Sequence, residues 1–195
     1  MIQDVDSEWG FVVDILIAGV GGQGTVLASR LIGTAALSVG LFVRGSETIG
    51  MAQRGGSVLS HARLSDKPID APLIARGQAD TILAMEPGEA ARALPYLKPT
   101  GALVVSDRAL QPPSGAYDAA AILAFLQGAV ERLTVLEGAL VARLWGTRFL
   151  NVALLGAALS LRLLPFGFAD MEKALVKTVP DRYLIANIEA LYCYT

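Results

Sequence analysis

The segment from Phe11 to Ser38 leaves this chain few choices. Phe11-Val12-Val13-Asp14-Ile15-Leu16-Ile17-Ala18 is a short apolar run rich in β-branched residues. Such a run, stopped by glycines, reads as a buried parallel strand. Gly19-Val20-Gly21-Gly22-Gln23-Gly24 follows as a loop, and from Thr25 the pattern turns helical. Val26, Leu27, Leu31, Ile32, Ala35 and Ala36 recur at three- and four-residue steps, with Arg30, Thr34 and Ser38 on the opposite face. Gly40 ends that helix. A strand buried on both faces needs helices above and below it, so the rest of the chain must supply more strands and their covering helices.

The remaining sequence does so. Strands are expected at 41–43, 57–64, 80–85, 101–106 and 133–136. Residues 44–56 are polar and glycine-punctuated and read as a loop; Asp66-Lys67-Pro68 and residues 111–115 read as turns. Helices are expected at 88–94, 119–126, 170–177 and 182–192, with 138–163 mostly helical and bent near Gly146 and Gly156. Strands alternating with helices predict an α/β fold: Rossmann-like, three-layered, with a largely parallel sheet and extra C-terminal helices. No internal repeat, low-complexity tract or splitting linker interrupts it.

Composition narrows the function. The 16 Lys+Arg balance 18 Asp+Glu, for a net charge of −2, which argues against binding a phosphate backbone. Hydrophobic residues make up 53% and charged residues 17%, so a large core or a large buried interface is expected. The most apolar stretch, 149–164, is interrupted by Arg162, followed by Pro165, and too short to span a membrane. The N-terminus is acidic where a signal peptide would be basic, so the location expected is cytoplasmic. One cysteine, Cys193, and one histidine, His61, cannot build a zinc or iron–sulfur site, so no metal site and no catalytic residue is assigned within the chain.

Gly19, Gly21 and Gly24 satisfy G-x-G-x-x-G between a strand and a helix. The first glycine permits the tight turn, the second lets backbone approach a ligand, and the third lets helix pack on strand. The helix N-terminus then offers free N–H groups and partial positive charge to an anion. Equally, the glycines can serve only to shape the junction. A dinucleotide reading also wants an acidic residue at the end of the second strand, for the ribose. Arg44 stands there, and Glu47 comes late.

Glu47-Thr48-Ile49-Gly50-Met51-Ala52-Gln53-Arg54-Gly55-Gly56-Ser57 is a second polar loop, with Arg54 beside two glycines. Leaving the second strand, it should gather with the first loop at one edge of a parallel sheet. The pair would make an anion or partner site, unless the loop is plain surface and its arginine pairs with a carboxylate.

Gly19 to Gly24, Ser46-Glu47 and Gly50-Met51-Ala52-Gln53-Arg54-Gly55-Gly56-Ser57-Val58 together resemble the gamma-type subunits of 2-oxoacid:ferredoxin oxidoreductases. Within that family they are most similar to the small (beta) subunits of the indolepyruvate branch. The resemblance continues through Ala79 to Pro87, 101–106, Arg148 to Gly156 and Asn187 to Leu191. It implies one gamma-type domain over 1–195, with about the first ten residues a loose extension. It also implies a division of labour. Such enzymes decarboxylate a 2-oxoacid on thiamine diphosphate, pass electrons through iron–sulfur clusters to ferredoxin, and release an acyl-CoA. Thiamine diphosphate, its magnesium and the clusters belong to a large partner subunit. This chain completes the assembly on the coenzyme A side, with Gly19, Gly21, Gly22, Gln23, Gly24, Ser46, Glu47, Gln53, Arg54, Gly55, Gly56 and Asn151 as the residues expected near a ligand. The competing expectation is a free-standing NAD(P)- or flavin-binding enzyme; a third is an assembly module without a small-molecule site.

The other polar residues carry less. Glu86 ends a strand before Pro87 and either orients a loop, meets a substrate, or caps the next helix. Arg143, Thr147 and Asn151, spaced by four with Arg148 adjacent, form a polar stripe if one helix carries them, either lining a contact or facing solvent. His61 has no acidic or thiol neighbour in sequence and reads as structural; Cys193 reads as a buried or terminal thiol. An isolated chain this apolar is expected to form a homodimer.

Overall fold

The computed structural model describes residues 10–49, 56–110 and 117–194. Strand β1 (Val12–Val20) leads into α1 (Thr25–Ser38), β2 (Phe42–Ile49) and β3 (Ser57–Ser65). Then come β4 (Ala79–Ala84), α2 (Pro87–Ala93), β5 (Leu97–Ser106), α3 (Ala119–Ala129) and β6 (Arg132–Leu136). Four helices close the chain: α4 (Gly138–Leu144), α5 (Leu150–Ser160), α6 (Phe168–Thr178) and α7 (Asp181–Leu191). Short 3-10 turns follow α2 and precede α5.

The six strands form one sheet in the order β2-β3-β1-β4-β5-β6. Strands β1, β4, β5 and β6 run parallel, and β3 is antiparallel to both β1 and β2. The fold is therefore α/β with a mostly parallel sheet, as expected. Alternation along the strands sorts the core. Ile15, Ile17, Leu83, Met85 and Val104 point to α1, α5 and α6, while Leu16, Ala18, Ile82, Leu103 and Val105 point to α2 and α3. Helix α5 is apolar on every side because it is buried on every side; Val152 to Ala158 are all inaccessible. Truncating one such side chain, Leu154→Ala, would cost about 2–5 kcal/mol.

Two expectations change here. Residues 44–49 are strand, not loop: Ser46 and Glu47 pair with His61 and Ser60 of β3. Strand β2 is the sheet edge, with Arg44, Gly45 and Glu47 exposed, so its sequence lacks the apolar signature of a buried strand. The long helix at 138–163 does break at Gly146, where φ is 103°, but Gly156 bends nothing. It lies inside continuous α5, where an added Cβ would stand 1.9 Å from the Leu191 carbonyl oxygen. That glycine lets α7 pack directly on α5.

At the N-terminal ends of the central strands a charge network ties the sheet together. Buried Asp14 receives Arg63 through Nε at 2.8 Å and Nη2 at 3.2 Å. The Asp14 N–H donates to Asp80, which also pairs with Lys98. Among the described residues, no helix is long and apolar enough to cross a membrane.

Candidate functional site

The glycine loop lies at the C-terminal end of β1. Its conformation is set from within: the Val20 N–H donates to Gln23 Oε1 at 2.7 Å, and the Gln23 N–H to the Val20 carbonyl at 3.0 Å. Gly19 sits under Met85 and Thr25, where a Cβ would meet both at 2.8 Å. Gly24, the residue preceding α1, has φ 84°, and its Cβ would strike Asn151 Nδ2 at 2.5 Å. Gly22, at φ 98°, has open space where a side chain would be. Helix α1 begins with no side-chain cap and no acidic residue in its first turn. Its first N–H groups and positive dipole end therefore meet no carboxylate of their own helix.

The described end of the second polar loop meets the glycine loop. The Gly21 N–H donates to the Gly56 carbonyl at 2.9 Å, and in register Gly19 and Ile49 flank Val58 on either side. The hairpin produces this juxtaposition: because β3 reverses between them, β2 runs in the same direction as β1 and ends at the same edge. Gln53, Arg54 and Gly55 lie outside the described residues. Ser46 and Glu47 lie on the edge strand and make none of the contacts that hold the glycine loop.

Of the stripe expected across 143–151, only Asn151 reaches this edge. Arg143 lies on α4, Thr147 on the 3-10 turn and Asn151 on α5, so the break at Gly146 splits it. Asn151 is buried and donates from Nδ2 to the Gly24 carbonyl at 3.1 Å. Arg148 and Thr147 are exposed, and Arg148 lies 5.4 Å from the centre of the Tyr183 ring.

The third element is the start of α2. Glu86 precedes that helix but does not cap it with its side chain. Its Oε2 instead accepts the Leu110 N–H at 2.8 Å, from the segment after β5. Gln23 and Tyr117 lie close to the carboxylate. Burial raises the Glu86 pKa above its ordinary value; the Leu110 N–H opposes that shift and the Glu89 charge adds to it. Glu89, one turn on and 1% exposed, takes the Ser57 hydroxyl on one oxygen and Arg92 on the other. The sequence singled out Glu86 but neither Glu89 nor Tyr117. For Glu89 the signal was Pro87 at the first helical position, which puts residues 86 and 89 on one turn; Tyr117 had none.

The remaining residues are structural. His61 is buried, and its Nδ1 accepts the Ile74 N–H at 3.2 Å, so the ring is held neutral; burial lowers its pKa. Cys193 is exposed in the turn after α7. Among the described residues no group of three or more His, Cys, Asp or Glu is placed to hold a metal ion.

Among the described residues the ribose side of a dinucleotide site is missing. The strand beside β1 on this side is antiparallel β3, not a parallel second strand. Arg44 pairs across β3 at the level of Asp14, five residues before Gly19, or about 17 Å below the glycine loop. Its Nε donates to the Ile69 carbonyl at 3.0 Å.

Residues 14–193 match the family model described as pyruvate ferredoxin/flavodoxin oxidoreductase. Indolepyruvate oxidoreductase subunit IorB of Archaeoglobus fulgidus is 34% identical over 186 residues, covering 92% of each chain. The subunit of the same name from Pyrococcus horikoshii is 31% identical over 192 residues, covering 91% of each. In structure, the gamma subunit of a keto/oxoacid ferredoxin oxidoreductase from Geobacter sulfurreducens PCA superposes with a TM-score of 0.69 at 25% identity, covering 93% of both chains.

Proposed function

The chain belongs to the pyruvate ferredoxin/flavodoxin oxidoreductase family, and from that membership we propose that it is the small, gamma-type subunit of a 2-oxoacid:ferredoxin oxidoreductase. Its substrates are indolepyruvate and other aryl pyruvates, in keeping with the relatives named for indolepyruvate. The whole enzyme splits CO2 from the 2-oxoacid, sends the electron pair left behind to ferredoxin, and transfers the acyl group to coenzyme A. Thiamine diphosphate, magnesium and the clusters sit in a large partner subunit. One cysteine and one histidine in 195 residues do not fit a cluster's ligand set. The free-standing NAD(P) or flavin enzyme is not favoured, because antiparallel β3 lies beside β1 where a dinucleotide fold would have its parallel second strand.

This chain serves the coenzyme A side. The single observation behind that reading is the joined loop pair: Gly21 bonded to Gly56 beside the uncapped N-terminus of α1. Free N–H groups at a helix start suit a phosphate, and coenzyme A carries several. Gly19, Gly21, Gly22, Gln23 and Gly24 present that backbone, Asn151 holds it from below, Gly56 faces it, and Gln53, Arg54 and Gly55 come just before Gly56 in sequence. An arginine grips a phosphate with two hydrogen bonds. Exposed Phe11, Val12, Leu37, Val39 and Phe42, at the opposite edge of the sheet, supply apolar surface for self-association of the isolated chain as a homodimer.

The test is steady-state kinetics on the reconstituted complex. Arg54→Ala should weaken coenzyme A use by about 1.5–3 kcal/mol, the scale of a charged hydrogen bond, and leave 2-oxoacid decarboxylation on the partner intact. Arg54→Lys should rescue little, since a point charge does not replace the planar fork. A mutant that assembles normally with unchanged coenzyme A parameters would make Arg54 structural. Purification of the tagged chain from its own cells should bring down a large, cysteine-rich partner.

A further inference from the structure

Two buried glutamates on one turn of α2 stand behind every described part of the loop pair. Glu86 meets Gln23, whose amide oxygen holds the Val20 N–H. It also takes the Leu110 N–H and lies close to Tyr117, which come from the two described ends of the segment between β5 and α3. Glu89 holds Ser57, the residue directly after Gly56, whose carbonyl receives the Gly21 N–H. A circuit closes in this way: α2 to Gln23, through the glycine loop to Gly56 and Ser57, and back to α2 at Glu89.

Most of these carboxylate contacts are with neutral donors. Arg92 is the cation paired with Glu89, and its side chain is 70% exposed. Placing two carboxylates this close together and burying them costs stability. A leucine or glutamine pair would fill the space at lower cost, so the arrangement is explained by what it holds in place. Backbone that must meet a ligand gains from being fixed before the ligand arrives.

We propose that Glu86, seconded by Glu89, is the positioning residue of this crevice: it fixes the glycine loop against the Gly56 backbone so that the N–H groups at the start of α1 are presented in one geometry. The proposal rests on the coenzyme A reading of the site for its kinetic consequence, but not for its structural one. Glu86 acts through Gln23 and touches no ligand itself.

The experiment uses Glu86→Ala and Glu86→Gln in the reconstituted complex, read by amide hydrogen exchange and by coenzyme A kinetics. In Glu86→Ala, exchange at Val20, Gly21 and Leu110 should speed up at least tenfold, while Leu16 and Ile82 in the core strands stay as they were. The KM for coenzyme A should rise at least tenfold with turnover at saturation within about twofold, a split that simple loss of fold would not produce. Glu86→Gln should bring both readouts back to within about threefold of wild type, because a carboxamide oxygen still accepts the Leu110 N–H. Loop amides at wild-type exchange rates in Glu86→Ala would overturn the proposal, as would core amides loosened as much as the loops. Faster loop exchange with an unchanged KM would uphold the positioning role and remove coenzyme A from this crevice. If Glu86→Ala does not fold, Gln23→Leu cuts the same link from the loop side. It should speed exchange at Val20 and Gly21 while sparing Leu110; unchanged exchange at Val20 and Gly21 would overturn the proposal.

Discussion

The two ends of the central strands bury carboxylates for opposite purposes. At the N-terminal end, buried Asp14 is met by an arginine fork and half-buried Asp80 by a lysine, so each charge is matched. At the C-terminal end, Glu86 and Glu89 face each other across one helical turn, and their described partners are mostly amides and hydroxyls. A paired charge is broken by removing its partner, which leaves the other buried and uncompensated. A carboxylate held by neutral donors is instead relieved by neutralising it. The first end behaves as a clamp on the sheet, and the second as a frame for a site.

That contrast can be tested in order of effect. Asp14→Ala should cost the most, about 3 kcal/mol in urea unfolding, toward the low end for a buried pair because the Arg63 side chain is 21% exposed. Kinetic constants of the assembled complex should stay put; a shifted KM would show that the clamp also serves the site. Gly24→Ala at the other end should cost about 1–2 kcal/mol for its left-handed backbone, plus the displacement of Asn151. Here the KM for coenzyme A should rise as well, and a pure stability loss would break the comparison.

Smaller effects separate the ends by pH. Glu86 has a raised pKa, so the folded state binds its proton more tightly than the unfolded chain does. Its burial is therefore free of charge cost at low pH, and stability falls as pH rises from about 4.5 through the folded value. The groups that set this are Glu89 and Arg92 on α2, Gln23 on the glycine loop, and the Leu110 N–H and Tyr117 on the segment after β5. Glu86→Gln should match wild type at acid pH and exceed it near neutrality, measured as the difference in urea midpoint. A variant less stable than wild type at neutral pH would show that the carboxylate is net stabilising there. His61 should give the smallest change, with the reverse sign. Its pKa is lowered, so its contribution is intact above about 6.5 and is lost as pH falls through the folded value. His61→Gln should flatten that acid-side loss, and an unchanged slope would assign it to another group.

Much of this was legible in the residues. The apolar run before the glycines, the helical period after them and the small residues that let elements pack are local patterns, and they placed β1, α1, β4, β5 and the C-terminal helices. Gly21 and Gly56 were expected at one edge, and they are bonded there. Strand β2 was cut short because an edge strand needs no apolar alternation. Its existence depends on β3, which meets it as Phe42 with Ser65 and Ile49 with Val58. Glu86 was visible as a polar residue at a strand end, but its choice between capping α2 and holding Leu110 was not.

The amino-acid sequence by itself determined most of the strands and helices, the edge strand β2 excepted, because hydrophobic period and turn chemistry act over a few neighbouring residues. Tertiary structure alone decided that β3 would run backwards between β1 and β2, that Gly156 would receive the backbone of Leu191, and that Asn151 would reach Gly24 across 127 residues. Those are choices of partner. A partner far along the chain is selected by the packing of the whole, where an unpaired buried group costs more than any local preference can repay.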